Sequence, residues 1–306
     1  MFAALLGTIG AFVYGSSDFL GGLAAKRISP LLVTATSAAT GLVVLLLLFP
    51  LIGGQWSWSA VGWGALSGVS GAVGLSLLYA CLAIGPMSIL SPLTAIMSAV
   101  VPMTAGLITG TRFGPLGYAG LGIALVAVVL VGFVPEKGAV RPSLKGLLMA
   151  VASGALIGGF LIFVDQTPTD SGIVPLLFNR SVNAALLFGA VGVLAVATRV
   201  RRRASGLTHA DSSAPGSGSD ARAEAAGSLR AALLLALGCG VLDAGANVLL
   251  LTGIHLGDLA VMSVLTALYP AGTIVLAAIV LRERIAPVQV AGLVLALVAA
   301  ALLALA

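Results

Sequence analysis

Charged side chains are scarce in this chain. Of its 306 residues only 8% are charged, 59% are apolar, and the mean hydropathy is +1.17. A soluble domain needs a polar surface, so this composition excludes one. Apolar runs of about 20 residues favour membrane-spanning helices, because backbone groups in lipid must bond within their own segment. A membrane barrel would instead show alternating segments of about ten residues.

Cysteine and histidine are also scarce, with two of each. This excludes a disulfide framework. The sequence has no H-E-x-x-H metal spacing, no Walker A sequence and no G-x-S-x-G. We therefore predict that the protein is not an enzyme, holds no cofactor or metal, and is not driven by ATP. The net charge of +5 is expected to reflect loop orientation rather than a nucleic-acid partner.

The apolar runs predict ten membrane spans. Their bounds are roughly 3–23, 31–52, 59–83, 88–110, 115–134, 144–164, 173–197, 231–254, 258–281 and 286–305. Gly85-Pro86 and Gly257-Asp258 predict tight turns, and Pro115 and Pro287 suit the first turn of a helix. No basic region precedes the first run, which contains Asp18, so we interpret it as a span and not a signal peptide.

The chain contains an internal repeat. Residues 85–127 match residues 257–299 after a shift of 172 positions, with Arg112 falling on Arg284 and Ser91 on Ser263. Because each half has five spans, an odd number, the halves must be inverted relative to each other, as in many secondary transporters. We predict an all-α membrane protein of ten transmembrane helices in two inverted five-helix repeats, 1–134 and 144–306.

Segment 199–229 is the clearest non-membrane stretch. It begins with basic residues from Arg199 and continues with Ser, Gly, Ala, Asp and Pro. Its low apolar content predicts a disordered loop within the second repeat.

Ionisable residues at membrane depth are functional candidates, because a charge there is costly. Asp18, Arg180 and Asp243 qualify, and Asn247 lies one turn from Asp243 on the same helix face. One hypothesis is that Arg180 pairs permanently with Asp18 or Asp243 and locks the bundle. The other is that an acid carries a proton or contacts an amine, while the planar fork of Arg180 binds a carboxylate or phosphate.

Further polar and aromatic residues are predicted to line a substrate cavity. They are Tyr14, Ser17, Tyr79, Ser91, Asn247, Ser263 and Thr266. Ser91 and Ser263 are equivalent across the repeat, as are Thr94 and Thr266, which favours a site near the axis that relates the halves.

The basic residues lie mostly in connections after odd-numbered spans, including Lys26, Arg27, Lys145 and Arg199, whereas connections after even-numbered spans contain only Arg112. Positive loops tend to stay cytoplasmic. The charge distribution therefore predicts that both chain termini lie outside.

Several motifs carry a family resemblance. The stretch from Gly10 to Phe19, GAFVYGSSDF, resembles the A-F-x-W/Y-G-S-x-x-F opening of EamA-type transporters of the drug/metabolite transporter superfamily. Leu90-Ser91-Pro92-Leu93 resembles the small-polar and proline segment of their fourth span. Leu281-Arg282-Glu283-Arg284-Ile285 is similar to the L-G-E-R-L turn before their last span.

The resemblance implies ten helices in two inverted units around a central cavity lined mainly by spans 1, 3, 4, 6, 8 and 9. It implies transport of small metabolites, commonly export of amino acids or their derivatives, with both termini cytoplasmic. The chain departs from the family at Gly110-Thr111-Arg112-Phe113, which lacks the usual Glu, and at Ser37, where many relatives have the counterpart of Arg180. An Arg that recurs in both halves favours a scaffold role.

We therefore expect a multi-pass secondary transporter of the bacterial cytoplasmic membrane that exports a small polar metabolite by alternating access. Transport is expected to be driven by the substrate gradient or by protons, membrane lipids surround the chain, and the protein is a monomer or homodimer. The alternatives are a lipid-linked carrier or flippase, which needs a lateral opening and a basic pocket, and a non-transporting scaffold, which needs no polar cavity.

Overall fold

The computed structural model describes residues 2–84, 87–132, 143–204, 218–282 and 286–305. These residues form eleven α-helices and one short 3₁₀ helix, Thr169–Ser171. The α-helices are α1 Phe2–Ala25, α2 Pro30–Ile52, α3 Trp58–Ile84, α4 Met87–Ile108, α5 Pro115–Gly132, α6 Leu144–Asp165, α7 Val174–Ala204, α8 Gly218–Leu256, α9 Leu259–Thr266, α10 Tyr269–Val280 and α11 Pro287–Leu305.

The ten predicted spans are confirmed as α1 to α8, α9 together with α10, and α11. Within the described residues, nine of these segments are long and apolar enough to cross a membrane, and α4 contributes the shorter apolar stretch Leu93–Ile108. At 1.5 Å per residue, a span of about 20 residues matches a hydrocarbon core of about 30 Å. Ten crossings place the two ends of the chain on one side of the membrane, here called the terminal side.

Helix ends follow local sequence signals. Pro30, Pro115 and Pro287 are the first residues of α2, α5 and α11, where a missing N–H removes no helix bond. Before α2 the Ser29 hydroxyl accepts a hydrogen bond from the Leu32 N–H at 3.3 Å. Before α6 the Ser143 hydroxyl accepts one from the Gly146 N–H at 3.1 Å. These bonds satisfy backbone donors that the helices leave open.

The ninth span is broken, whereas the equivalent α4 is continuous. The break separates α9 from α10 at Ala267 and Leu268, just before Pro270, whose ring opposes a continuous helix. Residues 259–265 of α9 are all buried. Non-helical backbone at this depth is tolerated when it is enclosed by protein.

Helix extends into both ends of the segment predicted to be a disordered loop at 199–229. The helix α7 continues to Ala204 and α8 begins at Gly218, while residues 205–217 lie outside the described residues. Low apolar content argues against a span but not against helix, since Arg and Ala are good helix formers.

The most extensive helix contacts join the two halves and not helices of the same half. Exchanging the two repeats turns one contact into another. It converts α1–α8 into α3–α6, α2–α8 into α3–α7, and α1–α10 into α4–α6. The pairs α2–α7, α5–α11 and α4–α9 each join equivalent helices. The packing therefore has the two-fold pattern of an inverted repeat.

Equivalent glycines allow two of these close contacts. Gly68 in α3 and Gly240 in α8 are 172 positions apart. A Cβ on Gly68 would lie 2.6 Å from the carbonyl oxygen of Asn179 in α7, and one on Gly240 would lie 2.5 Å from that of Ser37 in α2. Close backbone approach through small residues is the usual way that helices pack in lipid.

Candidate functional site

A cavity of about 240 Å³ lies between the halves. Its lining comes from α1, α3, α4, α6, α7, α8, α9 and α10 and the break between the last two. The lining residues are Tyr14, Asp18, Gly71, Leu75, Leu78, Ser98, Ile157, Phe160, Leu161, Asn179, Arg180, Asn183, Asp243, Asn247, Ser263, Thr266, Ala267 and Tyr269. A site of this size fits a compact small molecule, since ligand pockets typically measure about 300–1,000 Å³.

Seven of the ten residues predicted from the sequence line this cavity. They are Tyr14, Asp18, Arg180, Asp243, Asn247, Ser263 and Thr266. Ser17 does not line it, because it points to α8, where its hydroxyl donates a hydrogen bond to the Cys239 carbonyl at 2.9 Å. The side chains of Tyr79 and Ser91 lie outside the described residues.

The helix α1 presents Tyr14 and Asp18 on one face, one turn apart. It is fixed against α10 by Gly15, where a Cβ would meet the carbonyl oxygen of Tyr269 and lie 2.8 Å from the Gly272 Cα. The Thr273 hydroxyl donates a hydrogen bond to the Gly15 carbonyl at 2.9 Å across the same contact. The α1 face that bears Asp18 is thus held at the edge of the cavity.

Arg180 and Asp243 form an ion pair between α7 and α8. Arg180 is only 8% exposed, and Asn247 donates its side-chain N–H to the Asp243 carbonyl at 2.7 Å. Removing one member of such a buried pair leaves an uncompensated charge. Of the two hypotheses for Arg180, this geometry supports the structural pair, and it assigns the partner as Asp243 rather than Asp18.

Asp18 is left without a counter-ion in the described part of the chain. The ion pair of Arg180 and Asp243 is the one salt bridge there, and Asp18 is exposed. When ionised, the described lining contains two carboxylates, Asp18 and Asp243, and one guanidinium, so its net formal charge is negative. A carboxylate open to a cavity at membrane depth can bind a cation or a proton.

The two repeats supply opposite kinds of wall. An offset of 143 positions, which relates Ser37 to Arg180, also relates Tyr14 to Ile157 and Asp18 to Leu161. The offset of 172 relates Gly71 to Asp243 and Leu75 to Asn247. Both members of each of these four pairs, Tyr14 and Ile157, Asp18 and Leu161, Gly71 and Asp243, and Leu75 and Asn247, line the cavity. One wall, from α1 and α8, is therefore polar, and its counterpart, from α6 and α3, is apolar.

Sequence reasoning missed part of the lining. Asn183 lies three residues after Arg180 and so shares its helix face, a spacing that could have identified it. The apolar residues Leu75, Ile157 and Leu161 have no distinguishing chemistry, and only their repeat partners Asn247, Tyr14 and Asp18 mark them. Phe160 and Leu78 carry no sequence signal that separates them from core residues.

A packed apolar core closes the cavity toward the terminal side. It joins α2, α6, α7, α8 and α9 through Leu45, Leu161, Val164, Ile173, Leu176, Leu250, Leu251, Ile254, Leu259 and Met262. Asp18 is exposed, and a Cβ at Gly22, one turn further on the same face of α1, would meet nothing within 4 Å. On the side opposite the termini, the apolar clusters around Cys81 and Ala24 are smaller than this core, so the packing is uneven between the two sides.

The fold and this central cavity define a multi-pass membrane protein built from two inverted helical repeats. The EamA-like transporter family matches residues 1–133 and 144–305. The chain therefore belongs to the EamA-like transporter family, and it is a membrane transporter of the drug/metabolite type.

Solved structures agree on the fold. One crystal structure, titled only "Crystal structure of protein", aligns with a TM-score of 0.69 at 17% identity and covers 99% of this chain and 96% of its own. At that identity the likeness establishes the fold alone. The search of curated proteins gives no significant match.

Proposed function

We propose that this protein is a secondary active transporter that exports a small polar metabolite, an amino acid or a related compound, across the bacterial cytoplasmic membrane by alternating access. The observation that carries the proposal is the cavity that both halves line with polar groups at mid-depth of the helices. Secondary transporters with inverted repeats bind their substrates at this position.

The uneven packing on the two sides of the cavity supports alternating access. The apolar core around Leu259 and Met262 lies on the terminal side, the clusters on the other side are smaller, and Asp18 is exposed. Because the main helix contacts exchange with the repeats, the halves can adopt each other's arrangement and reverse the closed side. Coupling to protons would use Asp18, the cavity acid that has no counter-ion among the described residues.

The two alternative functions receive less support. A lipid-linked carrier or flippase needs a basic pocket for the headgroup, but the one cation in the described lining, Arg180, is paired with Asp243. A passive scaffold would fill the interface between its halves with apolar residues. The polar wall formed by Tyr14, Asp18 and Asn247 argues against that arrangement.

Cysteine accessibility tests the proposal. In a variant whose buried Cys81 and Cys239 are replaced by alanine, Thr266→Cys places a thiol in the cavity. A charged, membrane-impermeant thiol reagent should label it from either side of sealed vesicles, because the site alternates. Leu47→Cys is the control, since Leu47 is 71% exposed on α2 within its apolar span and should resist labelling from both sides.

The test uses right-side-out and inverted vesicles, so that each side of the membrane is exposed to the reagent in turn. Labelling of Thr266→Cys in only one of the two vesicle orientations would contradict alternating access. The protein would then bind its ligand from one side of the membrane without transporting it. Uptake of a radiolabelled metabolite mixture into proteoliposomes, analysed for the compounds retained, then identifies the substrate.

A further inference from the structure

Among the described lining residues the cavity has more acidic than basic groups, and Arg180, Asn247 and Asn179 already donate to partners within the protein. We infer that the ligand is a compact organic cation, an ammonium compound with an apolar group, which needs no carboxylate. Within the proposed substrates, this is an amine related to an amino acid by loss of the carboxyl group. The inference rests on the proposed function and names its substrate class.

The first step concerns the charged end of the ligand. Asp18 is the cavity carboxylate with no ion-pair partner among the described residues, and it is exposed. Asp243 is already neutralised by Arg180. An ammonium group at Asp18 would form a charge-assisted hydrogen bond and would neutralise the cavity.

The second step concerns the groups that could bind a carboxylate. Arg180 binds Asp243, so its positive charge is already compensated by a carboxylate of the protein, and its Nε is buried away from the cavity. The Asn247 amide donates to Asp243 at 2.7 Å, and the Asn179 amide donates to Ser67 at 2.8 Å. The charge of Arg180 and the amides of Asn247 and Asn179 are therefore engaged within the protein, whereas the Asp18 carboxylate is exposed and can accept from a ligand.

Aromatic rings reinforce the preference for a cation. Tyr14, Phe160 and Tyr269 all line the cavity, and Tyr14 lies one turn from Asp18 on α1. The face of an aromatic ring attracts ammonium groups, most strongly where water is excluded. A carboxylate would be repelled by the same ring faces.

The apolar end of the ligand follows from the opposite wall. Leu75 and Leu78 of α3 and Ile157 and Leu161 of α6 face the polar groups of α1 and α8 across the cavity. These helices are the repeat counterparts of the polar wall, so the site is amphipathic across its axis. The volume of about 240 Å³ limits the ligand to a compact molecule.

Four matched compounds test the inference, because they share one apolar group and differ in charge. They are 2-phenylethylamine, phenylalanine, 3-phenylpropionate and 2-phenylethanol. Binding to the purified full chain in nanodiscs is measured by thermal shift and by calorimetry. We expect the amine to bind at least about tenfold more tightly than the amino acid or the alcohol, as one charge-assisted contact allows, and the acid to show no shift.

Four variants, two at carboxylates and two at Tyr14, locate the charged end. Asp18→Asn should weaken amine binding roughly tenfold to a hundredfold, while Asp165→Asn, at the end of α6 and outside the cavity lining, should leave it unchanged. Tyr14→Phe keeps the ring and should retain affinity, whereas Tyr14→Leu should lose it. The comparison of amine with alcohol in the unaltered protein does not depend on the folding of any variant.

Tighter binding of phenylalanine or of the acid than of the amine would overturn the inference, as would full amine affinity in Asp18→Asn or no binding of the amine at all. None of these results would affect the proposed function, which fails only if Thr266→Cys is reached from a single side of the membrane.

Discussion

Arg180 and Asp243 connect α7 to α8 at membrane depth. Arg180 is 8% exposed, and its pairing with Asp243 places opposite charges where either alone would be poorly solvated. The pair therefore contributes to the stability of the bundle as well as to the polarity of the cavity.

Replacing Arg180 alone should destabilise the protein more than replacing both partners. We expect Arg180→Ala to lower the free energy of unfolding by about 3 kcal/mol, since it leaves Asp243 uncompensated. The double variant Arg180→Ala/Asp243→Asn should recover more than half of that loss. Thermal unfolding in one detergent gives the comparison.

Equal unfolding temperatures for the single variant and the unaltered protein would show that the pair has no structural role. Arg180→Lys serves as the control, because it keeps the charge and loses the planar fork.

At the scale of the helices, the contact between α1 and α10 sets the position of the polar wall. Gly15 and Gly272 bring the two backbones together, and a Cβ on Gly272 would lie 2.8 Å from the Phe12 carbonyl oxygen. On the same helix Gly22 has open space at its Cβ position. The two α1 glycines thus have different roles despite identical chemistry.

Gly15→Ala should therefore separate α1 from α10, and Gly22→Ala should be tolerated. We expect a loss of more than about 2 kcal/mol for Gly15→Ala, because the methyl group meets rigid backbone. The matched change at Gly22 should alter stability by less than about 0.5 kcal/mol. Thermal unfolding measures both, and equal effects at the two glycines would refute the close contact.

The positions of prolines predict helix breaks only in part. Pro92 and Pro102 in α4 and Pro270 in the ninth span are each able to kink a helix. Only the span with Pro270 is divided, into α9 and α10, whereas α4 runs unbroken from Met87 to Ile108. A proline marks where a helix can bend, and the surrounding helices decide whether its freed carbonyls are satisfied.

At the scale of the whole molecule, the two repeats form one structural unit. The most extensive contacts, including α1–α8, α3–α6 and α5–α11, all cross between halves. Each half by itself would leave these surfaces, with their polar groups, facing lipid. The repeat is therefore a unit of sequence but not an independent unit of folding.

We predict that residues 1–142 or 143–306 expressed alone do not form a stable bundle, and that the two fragments co-purify when expressed together. The physical reason is that most helix packing in each fragment depends on the other. Affinity purification through a tag on one fragment, followed by size-exclusion chromatography, tests this. A sharp unfolding transition for a single fragment would contradict it.

The distribution of charge predicts the orientation of the molecule. Lys26, Arg27 and Lys145 lie opposite the terminal side, so positive loops place both termini outside the cytoplasm. A reporter active only in the cytoplasm should be inactive when fused after Ala306 and active when inserted between residues 205 and 217. The reverse activities would match the orientation that is usual for the family.

The sequence by itself determined the ten crossings, the inverted repeat and most of the polar residues of the cavity. Hydropathy and internal similarity are local properties of the chain, and a charge such as Asp18 within an apolar run stands out without a structure. The motifs around Tyr14 and Leu281 also sufficed to indicate the family, which the match over both halves confirmed.

Only the tertiary structure decided how those residues are used. Arg180 pairs with Asp243 and leaves Asp18 exposed, while Ser17 is turned toward Cys239 and away from the cavity. These outcomes depend on how each helix is rotated against the other half, which close glycine contacts set across more than 200 residues of chain. The apolar wall of α3 and α6 likewise becomes visible only when it faces its polar counterpart.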